Sequence, residues 1–328
     1  MIKAEFKKLF IKNKLIYFAL GVIVLSLIFQ LSSNTYTQFS LDNQQSFYEE
    51  YMARLKGKTN EDKTAIISKI YNDYNNIGNE LADLDNDYKN GNISTETYEE
   101  QREKLSEFSS CGNAVDYLVS CADYVNENPN RHYYIDYLGW TQVFQNYGFD
   151  FLLMIFVLAM SVGAVMIEYN SDMTAVNAVS EKGRKFYSTS KIILVLSFTA
   201  LLTLILSVIH LVVFSFKYDL SGWNYPLESL KAYSGSSKNL SIIGAYILSV
   251  LIKIFGYCCF AVFTMFFAVL LKKYAPAMTF SLALALLPMY ILNSNTDGQT
   301  LYLIPLPAGV TISTGYIKGT QKSEFTED

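Results

Sequence analysis

Five apolar blocks constrain this chain more than any other feature of it. They are Leu15–Leu31, Phe151–Ile167, Ile192–Phe216, Ile254–Leu271 and Ala277–Leu292. Crossing the hydrocarbon core of a bilayer takes about 17–25 residues, and four of the blocks meet that length. The last is slightly short and carries Pro288. Inside a bilayer the backbone must satisfy its own hydrogen bonds, so such blocks read as helices. Composition agrees: of 328 residues, 51% are hydrophobic and only 17% charged, too apolar for a soluble protein of this size. The sequence predicts an all-α polytopic membrane protein with about five transmembrane helices, or six, and an extracellular helical-hairpin domain.

Charge sets the orientation. Short cytoplasmic loops are rich in Lys and Arg. Lys3, Lys7, Lys8, Lys12 and Lys14 precede the first block, which places the N-terminus inside. Alternation then puts 33–148 outside, 168–191 inside, 217–253 outside and Lys272/Lys273 inside. Residues 33–148 hold 19 acidic and 9 basic side chains, a net of −10, while the remainder carries a net of +6. The expected division is a cytoplasmic amphipathic helix (1–14), a first transmembrane helix (15–31), an extracellular helical domain (33–148) and a transmembrane domain (149–328). The first block reads as an uncleaved signal-anchor, since no small-x-small site follows Leu31. Five spans would leave the C-terminal tail outside, which raises the expectation of a sixth span beyond the sequence.

Before the first block, Ile2, Phe6, Leu9 and Phe10 share one helical stripe with the lysines mostly off it. That pattern predicts an interfacial helix on the inner leaflet, with Lys3, Phe6, Lys7 and Phe10 as its membrane contacts and lipid as its partner. In the external segment, Ile67, Ile70, Tyr74, Ile77, Leu81, Leu84 and Tyr88 recur at steps of three and four, which predicts a long helix. "NGN" at 90–92 interrupts it. A second helix restarts with Thr95 or Thr97 as cap, Glu100 completing a capping box with Thr97. Two helices joined by so short a turn should pack antiparallel, and "VDYLVSCADYV" and "HYYIDYLGW" offer surfaces to cover them. Cys111 and Cys121 lie ten apart here. A bridge is permitted outside the cell, is out of reach on one continuous helix, and depends on a break near Gly112.

Catalytic chemistry finds little support. "LKGKT" (55–59) echoes a phosphate-binding loop, but Met52 stands where the first glycine belongs and no buried strand precedes it. Asp83, Asp85 and Asp87 resemble half a calcium loop, but Tyr88 and Ser94 replace the glycine and the final glutamate. The two histidines, His132 and His210, form no metal-ligand spacing. His210 and Lys253 are ionisable groups within or beside apolar runs, positions that are costly unless partnered. A continuation of the fourth block back through Ile242–Ile252 would let Lys253 snorkel or face a polar interior.

The polar island "EYNSDMTAVNAVSEKGRKFYSTSK" (168–191) between the second and third blocks carries the functional argument. Glu168 closes one span. A mildly apolar stretch from Thr174 follows, then a basic turn with Arg184 and Lys185, and Lys191 opens the next span. This order resembles the loop between the second and third spans of type-2 ATP-binding-cassette (ABC) transporter permeases, where a short coupling helix docks on the ATPase. Glu168, Thr174, Arg184 and Lys191 match; "EKG" stands where the family commonly has a proline-containing turn. The N-terminal amphipathic helix resembles that family's connecting helix, and the large external hairpin matches a subgroup.

The resemblance implies a permease subunit of an exporter, multi-pass in the plasma membrane of a Gram-positive bacterium. It is not itself an enzyme and has no cofactor of its own. ATP and Mg would sit on a separate cytosolic ATPase dimer, and a second permease chain, identical or different, would complete the pathway. Glu168, Thr174, Arg184, Lys185 and Lys191 are the implied coupling residues. No nucleic acid, metal or catalytic residue is expected. Relatives that confer resistance to peptides suggest a cationic peptide substrate for the acidic ectodomain. The alternatives are a membrane-anchored receptor or immunity protein that binds a peptide through that ectodomain, or a mechanotransmitting permease, which has four spans.

Overall fold

The computed structural model describes residues 6–146, 150–169, 183–234 and 240–294. Its elements are helices: after a short π-helix at Lys7–Lys12 come α1 (Leu15–Ser32), α2 (Asp42–Leu55), α3 (Glu61–Lys89), α4 (Thr95–Ser110) and α5 (Gly112–Glu127). Then follow α6 (Tyr137–Asn146), α7 (Phe151–Tyr169), α8 (Gly183–Lys217), α9 (Ile242–Leu271) and α10 (Tyr274–Ser294). The described residues contain no strand beyond two isolated bridges. The chain divides into two compact units: one gathers Met1–Ser33, Gln142–Lys217 and the chain from Gly244 on, the other Asn34–Thr141 and Tyr218–Ile243.

In the first unit, Leu15–Ser32, Thr189–Lys217 and Ile242–Leu271 are long and apolar enough to cross a membrane, and Phe151–Ile167 is a shorter apolar helix. Helix α7 is apolar all round because it is enclosed: Leu153, Phe156, Val157 and Met160 are buried, among Val195, Leu202 and Phe260 of its neighbours. Helix α1 instead exposes Tyr17, Leu20, Val24, Ile28 and Leu31, as a lipid-facing helix would. In α10, Pro276 sits in the first turn, where its missing N–H costs nothing, and Pro288 lies in the body.

Polar contacts fix the helix directions. The ammonium of Lys217, at the end of α8, donates to the carbonyls of Gln30 and Ser33 at the end of α1, so these two helices run parallel. Lys191 near the start of α8 donates to the Ala164 carbonyl near the end of α7, so that pair runs antiparallel. Helix α9 opposes α8: Tyr246 donates to the Ser207 carbonyl at 2.7 Å, and the Cys258 thiol to that of Leu196 at 3.8 Å.

Two expectations are corrected in this unit. Phe10 does not lie in the lipid interface: it is 0% exposed, with its ring centroid 4.1 Å from that of Phe198. An apolar stripe needs an apolar partner, and here the helical bundle supplies it; Phe6 is half-buried beside Phe10, Lys7 is exposed, and Lys3 lies outside the described residues. The basic stretch after Gly183 is not a turn but the opening of α8, which runs unbroken for 35 residues. Ile242–Ile252 continues the fourth block, as expected, within the single helix α9, so Lys253 is carried inside a continuous helix.

The second unit bears out the hairpin. Asn60 caps α3 by accepting from the Lys63 amide, and Gly91 at φ 74° makes the turn into α4. Ser94 is the α4 cap, in place of the expected Thr95 or Thr97, accepting from the Thr97 amide at 3.2 Å. The antiparallel pairing is held by the Tyr88–Tyr98 stack at 4.3 Å and by the Tyr98 hydroxyl donating to Asp85. Ile67 of α3 joins Tyr48, Met52 and Leu55 of α2 and Ala114, Leu118 and Val125 of α5 in one core, with Tyr134 closing it. Helix α2 was not foreseen.

Residues 218–243 complete this unit rather than forming a loop of their own. Leu227, Leu230 and Tyr233 are buried, the Trp140 indole donates to the Ser221 carbonyl at 3.1 Å, and Lys56 pairs with Asp219. Gly139 is the close-approach point: a Cβ there would stand 2.9 Å from Tyr218 Cβ and 3.0 Å from the Asp219 carbonyl oxygen.

The bridge considered between Cys111 and Cys121 is absent, and both thiols are free. Cys111 joins α4 to α5 and Cys121 lies within α5. Ten residues of helix separate their backbones by about 15 Å, twice what a disulfide spans.

Candidate polar pocket in the membrane unit

A polar seam runs along α8. Thr199, Thr203 and Ser207 recur every four residues and so share one face. All three are buried, and each hydroxyl donates to the carbonyl four residues earlier, at 2.8, 2.8 and 2.7 Å. That back-bonding satisfies the donors inside an apolar bundle. One turn on, the seam reaches His210, whose Nε2 lies 3.2 Å from the Val143 carbonyl and whose ring packs on Phe214 with centroids 4.5 Å apart. The carbonyl can only accept, so Nε2 carries a proton.

His210 lines a cavity of about 560 Å³. Its polar lining comes from three further places: Ser26, Gln30 and Ser33 on or just after α1, Asp150 before α7, and Lys253 of α9. Phe29, Phe151, Leu152, Leu206 and Phe214 form its apolar walls. Asp150 caps α7, its Oδ1 accepting from the Leu153 amide at 3.2 Å, and Tyr257 donates to its carbonyl at 2.9 Å. Lys253 is 4% exposed. The side-chain oxygen of Gln30 is buried without a hydrogen-bond partner among the described residues. The site thus holds an ammonium, a carboxylate, an imidazole and an amide around a space large enough for a small ligand.

The residues expected to couple to an ATPase fare differently. Thr174 lies outside the described residues. Glu168 is on α7 and Arg184 and Lys185 on the first turn of α8, but their side chains lie outside the described residues. Lys191 is 7% exposed and donates to Ala164 at 2.8 Å, which braces α7 against α8. Among the described residues no cluster of His, Cys, Asp or Glu is suited to a metal. His210 and Lys253 stood out in the sequence; their meeting with Asp150 and Gln30 did not. The available signal was an acid immediately before an apolar block and an amide inside another.

These features define an all-helical, membrane-embedded protein with a second helical unit. No family model, curated protein or solved structure matches the chain.

Proposed function

We propose that this chain is the permease subunit of an ATP-driven exporter of the ABC type, with an extracellular domain and five spans. It works with a separate cytosolic ATPase dimer, which holds ATP and Mg, and with a second permease chain. The observation that carries the reading is the Lys191–Ala164 hydrogen bond. It ties together the two helices that flank the 170–182 connection, and α8 continues without a break from Gly183 to Lys217. A push on that connection therefore moves two membrane helices as a body. Coupling to an ATPase requires that its two states meet this connection differently.

Parity supports counting α7 among the spans. Residues 34–141 and 218–243 fold into one unit, so both lie on one side of any membrane. The chain between them must then cross an even number of times. With Thr189–Lys217 long enough to cross once, this reading takes the shorter α7 as the second crossing. The lysines before α1 favour the opposite, cytoplasmic side for the N-terminus. The net charge of −10 on residues 33–148 favours a cationic substrate such as a peptide.

The test is co-purification with the cognate ATPase. Arg184→Glu with Lys185→Glu should abolish it while leaving the chain in the membrane. Undiminished capture sinks the exporter reading and favours a peptide receptor, a role that the self-contained core of the second unit would also serve.

A further inference from the structure

We propose that the cavity between Gln30, Asp150, His210 and Lys253 is a binding site for a zwitterionic amphiphile, a lipid whose headgroup carries a phosphate and an ammonium. The inference does not need the exporter reading, because every wall of the site belongs to one chain.

The chemistry of the lining sets the ligand. A lysine within a membrane-crossing helix is costly and is retained where it meets an anion or lines a polar space. Lys253 lines such a space, and Asp150 on the same cavity makes the site zwitterionic. A purely structural ion pair would be packed shut by its neighbours. Here the two charges border about 560 Å³ of space, within the range of small-molecule sites. A ligand of one sign would leave one of the two charges facing a like charge. A zwitterion matches both: its phosphate accepts from Lys253, and its ammonium meets the Asp150 carboxylate.

Phe29, Phe151 and Phe214 give the ammonium aromatic faces. The Gln30 amide, whose oxygen is buried without a partner, supplies a further polar contact. The apolar remainder of the wall, with Leu152 and Leu206, takes the acyl chain. A free zwitterion would gain nothing from those walls, so the geometry favours the lipid over the soluble headgroup.

The site also opens at the ends of three helices. Ser33 and Gln30 are at the end of α1, Asp150 is at the start of α7, and Phe214 is one turn from the end of α8. All three helix ends therefore meet at one face of the membrane unit.

The experiment uses the purified full-length chain in maltoside micelles and measures binding of radiolabelled lysophosphatidylcholine. Saturable binding of one molecule per chain is expected. Lys253→Met and Asp150→Asn should each weaken it about tenfold or more, a loss of about 1.4 kcal/mol. Asn also caps helices, so Asp150→Asn keeps the α7 cap. Lys253→Arg should retain binding, and Leu206→Trp, which fills the cavity, should abolish it. Glycerophosphocholine, the headgroup without a chain, should not compete at concentrations where unlabelled lysophosphatidylcholine does. The proposal is overturned if binding survives both the charge substitutions and Leu206→Trp. It is also overturned if monoacylglycerol competes as well as lysophosphatidylcholine, or if glycerophosphocholine binds as tightly as the lipid.

Discussion

The ammonium of Lys217 donates to the carbonyl and the hydroxyl of Ser33, at 2.6 and 2.9 Å. It fills orphan acceptors at the C-terminus of α1, where the helix dipole also favours a cation. The two helix ends are therefore fixed at one level. In a background with the native cysteines replaced, Ser33→Cys with Lys217→Cys should cross-link readily with a short bis-maleimide. A Tyr17→Cys/Lys217→Cys pair should not, because Tyr17 is at the other end of α1. The reverse pattern would overturn the parallel arrangement.

Lys191→Met removes the tie between α7 and α8. A buried hydrogen bond to a charged donor is worth about 1.5–3 kcal/mol, so a clear fall in melting temperature is expected. On the proposed exporter reading, capture of its ATPase should be preserved, since Lys191 is buried. Loss of capture at normal thermal stability would restore Lys191 as a contact residue.

Asp136 gives the second unit a pH dependence. Burial pushes its carboxyl above the ordinary value of 3.8, although the Leu138 amide and the Tyr48 hydroxyl hold it down in part. A carboxyl raised in the folded state binds more protons there than in the unfolded chain. Its contribution therefore grows as pH falls from above the folded value towards 3.8, and is lost again on going back up. Asp136→Asn should flatten that part of the stability profile, read by thermal melts of the full-length chain at several pH values. An unchanged profile would remove Asp136 as the source.

Burial pushes the Cys121 thiol up to about 12, and the Cys111 thiol is also raised by burial. Thiolate is the reactive form. Maleimide at neutral pH should therefore modify neither residue appreciably until the protein is denatured, after which both should react without a reducing agent. Rapid labelling of the native chain, or a requirement for reductant, would contradict the geometry.

The long helix α3 was legible because Ile67, Ile70, Ile77 and Leu84 are all buried and all apolar. Helix α2 buries Gln44, Tyr48, Met52 and Leu55, an equally regular row whose first two members are polar enough to hide it. The cap between Ser94 and Thr97 offered several hydroxyls within one turn, and only the backbone geometry selects Ser94. Phe10 was misplaced because an apolar stripe is equally suited to lipid and to protein. The pocket was illegible for a different reason. Gln30, Asp150, His210 and Lys253 come from four separate segments, and only the helix directions bring them to a common depth.

One consequence concerns biosynthesis. The core of the second unit takes Tyr48 and Leu118 from its first piece and Trp140 meets Ser221 from its second. Its first piece is made more than 70 residues before its second begins at Tyr218. A nascent chain must deliver both pieces to one compartment before the domain can close. Until the second piece has emerged there, Trp140 lacks the Ser221 carbonyl and Lys56 lacks Asp219, so chaperones and proteases of that compartment meet the domain before its edge is sealed.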